Sequence, residues 1–133
     1  MSIDALPENI YTTLSSHAGL LSLIGNSDSP ITGRVYPVAV GYSVDLPYVT
    51  FNQVSEMPIN VLDNTGGGGR RKVRIQIDSY SETHKEAFDV AEQVRIAMRD
   101  ASLFNSTYKY SFDRYEYDTK LYSVTTEFLI STM

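Results

Sequence analysis

The chain has 133 residues, a formal net charge of −5 at pH 7 and 42% hydrophobic residues, which fits one globular domain with a single core. It contains no cysteine, which excludes disulfides and thiolate metal sites. The negative net charge argues against DNA binding through a broad basic face. The sequence contains no run of about 18 apolar residues, so it predicts no membrane-spanning helix.

The first predicted elements are a helix and two strands. Apolar residues recur at near-helical spacing from Leu6 to Ile24, which predicts a helix, and Gly19 inside it could divide it into two short helices. Arg34 to Val40 predicts a short strand, and Pro37 favours a sheet edge or a bulge because it lacks a backbone N–H. The β-branched and aromatic content of Tyr48 to Val54 predicts a second strand.

A long glycine-bearing loop follows this strand. It extends over about residues 55–72 and contains four consecutive glycines and three consecutive cations. After it, apolar residues alternate with polar ones from Val73 to Asp78, which predicts a strand with one apolar and one charged face. The loop is therefore most simply the tip of an extended antiparallel hairpin, and it is long for such a connection.

The longest predicted helix extends from Ser81 to Ala101. Thr83 and Glu86 have the spacing of a capping box at its start. Its apolar stripe is rich in alanine, which lets a helix lie close to a sheet. The stripe consists of Ala87, Val90, Ala91, Val94, Ala97, Met98 and Ala101.

The last third of the chain predicts two strands, Tyr108 to Tyr117 and Leu121 to Ile130, joined by a turn at residues 118–120. In the final strand, alternation assigns Tyr122, Val124, Thr126, Phe128 and Ile130 to one face and Leu121, Ser123, Thr125 and Glu127 to the other.

Tyrosine is concentrated in this region, with five of the ten tyrosines between Tyr108 and Tyr122. Tyrosine suits both a sheet with one wet face and a protein interface, and both interpretations stay open. The candidate interface aromatics are Tyr108, Tyr110, Tyr115 and Tyr117.

The order of predicted elements is α-β-β-β-α-β-β. This order predicts a single α+β domain over residues 1–133, with a mostly antiparallel sheet of about four or five strands and two main helices packed on one face.

The glycine run does not have the context of a nucleotide site. A phosphate-binding loop needs a helix after its glycines, because backbone N–H groups at the helix start hold the phosphates. Here three cations and a strand follow, and Lys72 precedes Val73 rather than Ser or Thr. We therefore expect no bound nucleotide and no other cofactor.

Catalytic and metal-binding patterns are also missing from the sequence. The two histidines, His17 and His84, have no second ligand at metal-site spacing. A Ser-His-Asp triad can assemble across a fold, but no G-x-S-x-G elbow is present. A solvated strand edge and turn accounts for Asp113, Glu116 and Asp118. We therefore expect that the protein is not an enzyme.

The order of short motifs resembles a known family. The chain carries LLSLIG at Leu20–Gly25, RVYP at Arg34–Pro37, LPYVTF at Leu46–Phe51 and RIQID at Arg74–Asp78, then a helix ending in Ala97-Met98 and a closing strand. This series resembles the small tail completion, or tail terminator, proteins of long-tailed bacteriophages, over nearly the whole chain. The glycine run and the tyrosine-dense region depart from the family pattern.

The resemblance implies a structural virion protein, made in the host cytoplasm and located at the head-proximal end of the tail. Its implied form is a homohexameric ring that stops tail-tube polymerisation and joins the tail to the head. Its implied partners are further copies of itself, the tail tube protein and the head–tail connector or neck protein. DNA would pass through the lumen without sequence-specific binding, and no membrane is involved.

Within this picture the glycine loop is predicted to be an assembly loop that orders against a partner. Its candidate residues are Asp63, Asn64, Gly66, Gly67, Gly68, Gly69, Arg70, Arg71 and Lys72. The alternatives are a head-closure or neck adaptor, another tail assembly factor, and, from a different class, a small hydrolase or nucleotide-binding module.

Overall fold

The structure is a computed structural model that describes residues 6–24, 35–37, 47–58, 71–102 and 104–132. The α+β class and the predicted order of strands and helices are confirmed. The elements are α1 (Leu6–Ser15), α2 (Ala18–Ile24), β1 (Val35–Pro37), β2 (Tyr48–Pro58), β3 (Arg71–Ser81), α3 (His84–Arg99), β4 (Asn105–Glu116) and β5 (Leu121–Thr132).

The strands form one five-stranded sheet in the order β1-β2-β3-β5-β4. All neighbours are antiparallel except β1 and β2, which are parallel. The described part of β1 lies at an edge, as the missing N–H of Pro37 predicts. Arg34 and residues 38–40, which complete the predicted strand, lie outside the described residues.

The helices pack on one face of the sheet, and the core lies between the two layers. Helix α3 contacts β3, β4 and β5, while α1 and α2 contact α3. The predicted stripe on α3 is confirmed, since all its members within the helix are buried. The largest fully buried side chains are Phe128, Leu6, Ile10, Leu14, Leu20, Ile24, Ile77, Met98, Ile130, Val49, Val73 and Val90.

The start of α3 is capped as predicted, with one change of partner. Thr83 is the N-cap, and its side chain accepts a hydrogen bond from the backbone N–H of Glu86 at 3.2 Å. One half of the capping box is thus present. In the other half, the Glu86 carboxylate accepts a hydrogen bond from the hydroxyl of Ser81, which is fully buried at the end of β3.

The predicted first helix is divided in two, but not at Gly19. The break falls at Ser16 and His17, where the hydroxyl and the backbone N–H of Ser16 both donate to the carbonyl of Thr12, at 2.6 and 3.1 Å. Gly19 lies inside α2, facing α3, where a Cβ would come within 2.2 Å of Gln93 Oε1. The glycine therefore permits close helix packing rather than a chain break.

The two strands at the C-terminal end form a hairpin with the predicted turn. The backbone N–H of Lys120 donates to the carbonyl of Glu116 at 2.7 Å, and Lys120 has φ 58°, in the left-handed region. The two predicted faces of β5 are observed. The face that carries Ser123, Thr125 and Glu127 is buried as well as the core face. Strand β5 lies between β3 and β4, so neighbours flank it on both sides.

Candidate assembly surfaces

The predicted loop is shorter than the sequence indicates. Strands β2 and β3 pair as far as Pro58 and Arg71, and β5 extends beside β3 to the same level. Residues 55–58 and 71–72 are therefore sheet, because pairing between neighbouring strands continues beyond the point where the alternating pattern becomes weak. Predicted loop residues Asp63, Asn64, Gly66, Gly67, Gly68, Gly69 and Arg70 lie outside the described residues.

Arg71 and Lys72 are the first two residues of β3, at the base of the hairpin. Lys72 lies between Met57 of β2 and Ser131 of β5. Since side chains alternate along a strand, Lys72 shares a face with Arg74 and Asp78, opposite the face that carries Val73 and the helices. We call this the second face of the sheet, and none of the described helices packs on it.

Two polar clusters lie on the second face. Thr125 donates to Asp78 at 2.5 Å, and the side-chain amide of Gln76 donates to the same carboxylate at 3.1 Å. The guanidinium of Arg74 is hydrogen-bonded and ion-paired with Glu127. Asp78 and Glu127 are only 5% and 4% exposed, so these carboxylates are held by specific donors rather than by water.

The environment of these carboxylates changes nearby pKa values. Burial alone would raise the pKa of Glu127, but hydrogen bonds from Arg74 and Tyr110 outweigh burial and hold it below its ordinary value. Burial, and secondly the charge of Asp78, raises the pKa of Tyr80 to about 12. Glu127 is therefore charged in the neutral range and Tyr80 is a neutral phenol.

The candidate tyrosines lie on an exposed strand. Ten of the twelve residues of β4 are exposed, including Tyr108 (43%), Tyr110 (45%) and Tyr115 (38%), while Tyr117 in the following turn is 84% exposed. The sequence analysis did not include Phe112, which is 44% exposed and stacks beside Tyr110 with ring centroids 6.2 Å apart. The alternation of apolar residues along the strand could have predicted that Phe112 shares a face with Tyr110.

The aromatic side chains of β4 occupy both faces of the sheet. Tyr108 is opposite the core residue Phe128, and its ring lies 5.8 Å from the guanidinium carbon of Arg95 on α3. Tyr110 is opposite Glu127 on the second face. Lys109 is the extra residue of a bulge between the two, and this bulge moves the following residues to the other face.

The histidines and the carboxylates near β4 do not form a catalytic cluster. His84 Nε2 pairs with Asp113 at 2.8 Å, which joins the start of α3 to β4. Glu116 accepts from Thr119 at 3.1 Å across the turn. Across the described ranges, no group of three or more His, Asp or Glu side chains could hold a metal ion.

A cleft of 370 Å³ lies where the ends of α1 and α3 meet, and Ser16, His17 and Asp100 line it. These are the residue types of a hydrolytic triad, but each bonds elsewhere. Ser16 donates to Thr12, His17 is hydrogen-bonded to Gln93 at 3.2 Å, and Asp100 accepts from Arg99 at 3.0 Å. The geometry is that of helix ends and surface pairs, not of an activated serine.

No helix in the described ranges is long and apolar enough to cross a membrane. The second face and β4 are the surfaces that stand out by their chemistry.

Comparison with known proteins gives a family and a fold. A family model for tail completion protein gp17 matches residues 8–132. One solved structure, described as the virion of a native gene transfer agent (GTA) particle, contains a chain that matches with a TM-score of 0.62 and 19% identity, over 92% of this chain and 90% of that chain. At this identity the match establishes a shared fold. The comparison with curated protein sequences finds no match.

Proposed function

Because the chain belongs to the tail completion protein gp17 family, we propose that it forms a ring that closes the head-proximal end of a phage tail. Membership makes it a structural protein of the phage virion tail. The proposed ring stops polymerisation of the tail tube and joins the tail to the head. The observation that carries the proposal is the family match, which extends over nearly the whole chain, from residue 8 to residue 132.

A second observation supports a role in a particle. The chain shares its fold with a chain from the virion of a gene transfer agent over 92% of its own length. That structure is of an assembled particle, so the shared fold is compatible with a place among packed protein subunits.

A ring of identical subunits needs two different surfaces that fit each other, because a head-to-tail contact must repeat around the axis. We propose that the assembly loop, residues 59–72, supplies one of them. Its cationic end, Arg70 to Lys72, leads into β3 and the second face. These cations would pair with acids of a neighbouring subunit, of the tail tube protein or of the neck protein.

The charge distribution supports a lumen through which DNA passes. Residues 1–69 contain one cation, Arg34, and six acids: Asp4, Glu8, Asp28, Asp45, Glu56 and Asp63. An acidic wall repels the phosphate backbone and keeps DNA from adhering. The proposal therefore requires no sequence-specific contact with DNA.

Electron microscopy of particles from a phage with a nonsense mutation in this gene would test the proposal. Overlong or uneven tails, detached from full heads, are the expected result. Tails of normal length that are detached from heads would indicate that the protein acts as a neck adaptor and does not terminate the tube. Normal infectious virions would contradict the assembly function altogether.

A further inference from the structure

Contacting aromatic rings extend from the tip of the β4–β5 hairpin to the start of α3. The ring of Tyr117, in the turn, meets that of Tyr115 nearly at right angles, with centroids 5.0 Å apart. Tyr115 meets Tyr122 at 4.8 Å, and Tyr122 lies 5.9 Å from the ring of His84. We call these four residues the aromatic ridge. It includes two of the four candidate interface tyrosines.

The aromatic ridge is fixed at its inner end and open at its outer end. Tyr122 is partly buried and packs against the buried cluster that contains Ala87 and Val124. Exposure then increases outward, from Tyr115 at 38% to Tyr117 at 84%. Tyrosine rings that are held in place offer contact area to a partner at a small cost in conformational entropy. The ridge therefore has the character of a binding surface.

Acidic side chains border the ridge. Residues 113–118 contain three acids, Asp113, Glu116 and Asp118, and one cation, Arg114, which lies 3.9 Å from Glu116. Asp118 follows Tyr117 in the turn and is exposed. Aromatic faces attract a cation, and neighbouring carboxylates add full negative charges to that attraction. A guanidinium fits such a surface best, because its plane stacks on a ring while its N–H groups donate to a carboxylate.

The chain itself carries a segment with the matching charge. Arg70, Arg71 and Lys72 form the one run of three cations in the sequence, and we call them the cationic run. Three adjacent positive charges repel each other, and acidic side chains of a partner relieve that repulsion. Two of the three residues have the guanidinium that the ridge fits.

The cationic run and the aromatic ridge lie at opposite ends of the sheet. Arg71 begins β3 and Ser81 ends it, and residues this far apart on an extended strand are about 33 Å from each other. Ser81 is opposite Tyr122 of the ridge. The run therefore cannot reach the ridge of its own chain, and a contact between them joins two molecules. A contact between two different surfaces is head-to-tail and can repeat around an axis.

We infer that, in the proposed ring, the cationic run of one copy docks on the aromatic ridge of the next copy. An arginine of the run stacks on the exposed ring of Tyr117 and donates to the carboxylate of Asp118. Each copy thus gives its run to one neighbour and its ridge to the other. The inference rests on the proposed function, and it names the surface of this chain that receives the assembly loop.

A peptide titration of the purified protein tests the ridge as the receiving surface. The probe is a synthetic peptide of residues 63–72, and binding is followed by amide shifts in NMR spectra of the isotope-labelled protein. We expect saturable shifts at Tyr115, Tyr117 and Asp118. A peptide with glutamate in place of the three cations should produce none. Ser102 should not shift, because it lies just before the first residue of β4, at the loop end of the sheet.

Two substitutions test which side chains hold the peptide. Tyr117→Ala and Asp118→Lys should each weaken peptide binding by about tenfold, since one removes the ring and the other reverses the charge. Tyr108→Ala is the matched control and should leave binding unchanged, because Tyr108 is an exposed tyrosine at the other end of β4. A titration without shifts at the ridge, or an equal loss of binding in all three variants, would overturn the inference. Thermal melting of each variant checks that it is folded.

Cross-linking in tails tests a neighbouring copy as the occupant. Gly69→Cys and Thr119→Cys in one chain leave every ring and charge of the contact in place, and the chain has no other cysteine. The variant is supplied to a phage with a nonsense mutation in the gene, and its tails are treated with a short bis-maleimide. We expect a ladder of linked chains on a denaturing gel, because each contact of a head-to-tail ring contains both cysteines. Gly69→Cys with Ser102→Cys is the matched control and should give no ladder.

The docking contact and the tail function can fail separately. Tails that contain the protein but give no ladder would overturn the inference, as would a product that links this chain to a different tail protein. In both cases the tail function stands. Infectious virions from the nonsense mutant would instead contradict the tail function, and the peptide titration does not depend on that outcome.

Discussion

Thr125 donates a hydrogen bond to Asp78 from the directly opposite position on the neighbouring strand. Both side chains are buried, on the face of the sheet that none of the described helices covers. Arg74 and Glu127 form an ion pair across the same two strands, but diagonally, since Glu127 is directly opposite Gln76. Asp78, Thr125, Arg74 and Glu127 thus pair with one another across two neighbouring strands.

Replacing Thr125 with valine tests the network at constant shape. Valine keeps the volume of threonine but removes this donor to Asp78, while the amide of Gln76 continues to donate to the same carboxylate. Because a buried acceptor loses a partner, we expect the free energy of unfolding to fall by about 1–3 kcal/mol. Urea unfolding measures this change in the free energy of unfolding. Thr107→Val, at an exposed position of β4, is the control, and an equal small effect at both sites would contradict the prediction.

The pKa of Glu127 predicts a pH dependence of stability. Its folded-state pKa lies below the ordinary value of 4.5, so its contribution is complete above that value and is lost as the pH falls through the folded pKa. We expect Glu127→Gln to lower the melting temperature at pH 7, and the difference from wild type to shrink in acid. Differential scanning calorimetry from pH 7 to about pH 3 measures this.

Glu82→Gln serves as the matched control, because Glu82 is exposed. It should leave the melting temperature nearly unchanged over the same range. A wild-type minus Glu127→Gln difference that stays constant with pH would show that the ion pair with Arg74 does not stabilise the fold.

Gly19 and Gln93 should be energetically coupled. Alanine at position 19 favours the helix by about 1 kcal/mol over glycine, but its Cβ would come within 2.2 Å of Gln93 Oε1 and displace the hydrogen bond to His17. We expect Gly19→Ala to be near neutral alone and stabilising in a Gln93→Ala background. A double-mutant cycle of urea unfolding measures the coupling, and additive effects would rule out the contact.

Shortening the assembly loop should separate folding from assembly. Because β2 and β3 pair up to Pro58 and Arg71, the sheet does not need residues 61–68, and a deletion there should keep the melting temperature. We expect the deleted protein to fail to complement a phage with a nonsense mutation in the gene. Complementation at the wild-type level would contradict a role for the loop.

Charge reversal tests the cations at the loop end. If Arg70, Arg71 and Lys72 pair with acids on a partner, single changes to glutamate should make assembly more sensitive to salt, because complementary charges steer association. In vitro complementation of tail extracts at increasing ionic strength measures this. Lys85→Glu is the control, since Lys85 on α3 is paired with Asp89 of its own chain. An unchanged salt dependence would indicate that the three cations are solvated surface charges that do not take part in assembly.

Much of the fold follows from local patterns in the sequence. The apolar stripe of α3, the Thr83 cap and the edge position of Pro37 each arise from a residue's own backbone chemistry or its spacing, and each is observed. Thr83 accepts the N–H of Glu86 three residues later in the chain, so no distant contact is required to predict it.

Only the tertiary structure decided the features that depend on distant neighbours. Gly19 permits close packing because α3 passes beside it, and β2 and β3 extend to Pro58 and Arg71 because each pairs with another strand. Glu127 is buried because Arg74, 53 residues earlier, meets its charge. The sequence by itself determined the order of helices and strands and that the chain resembles a tail protein, since periodicity and capping are local. Strand order determined which polar side chains are buried and which edge is open, since both depend on which strands become neighbours.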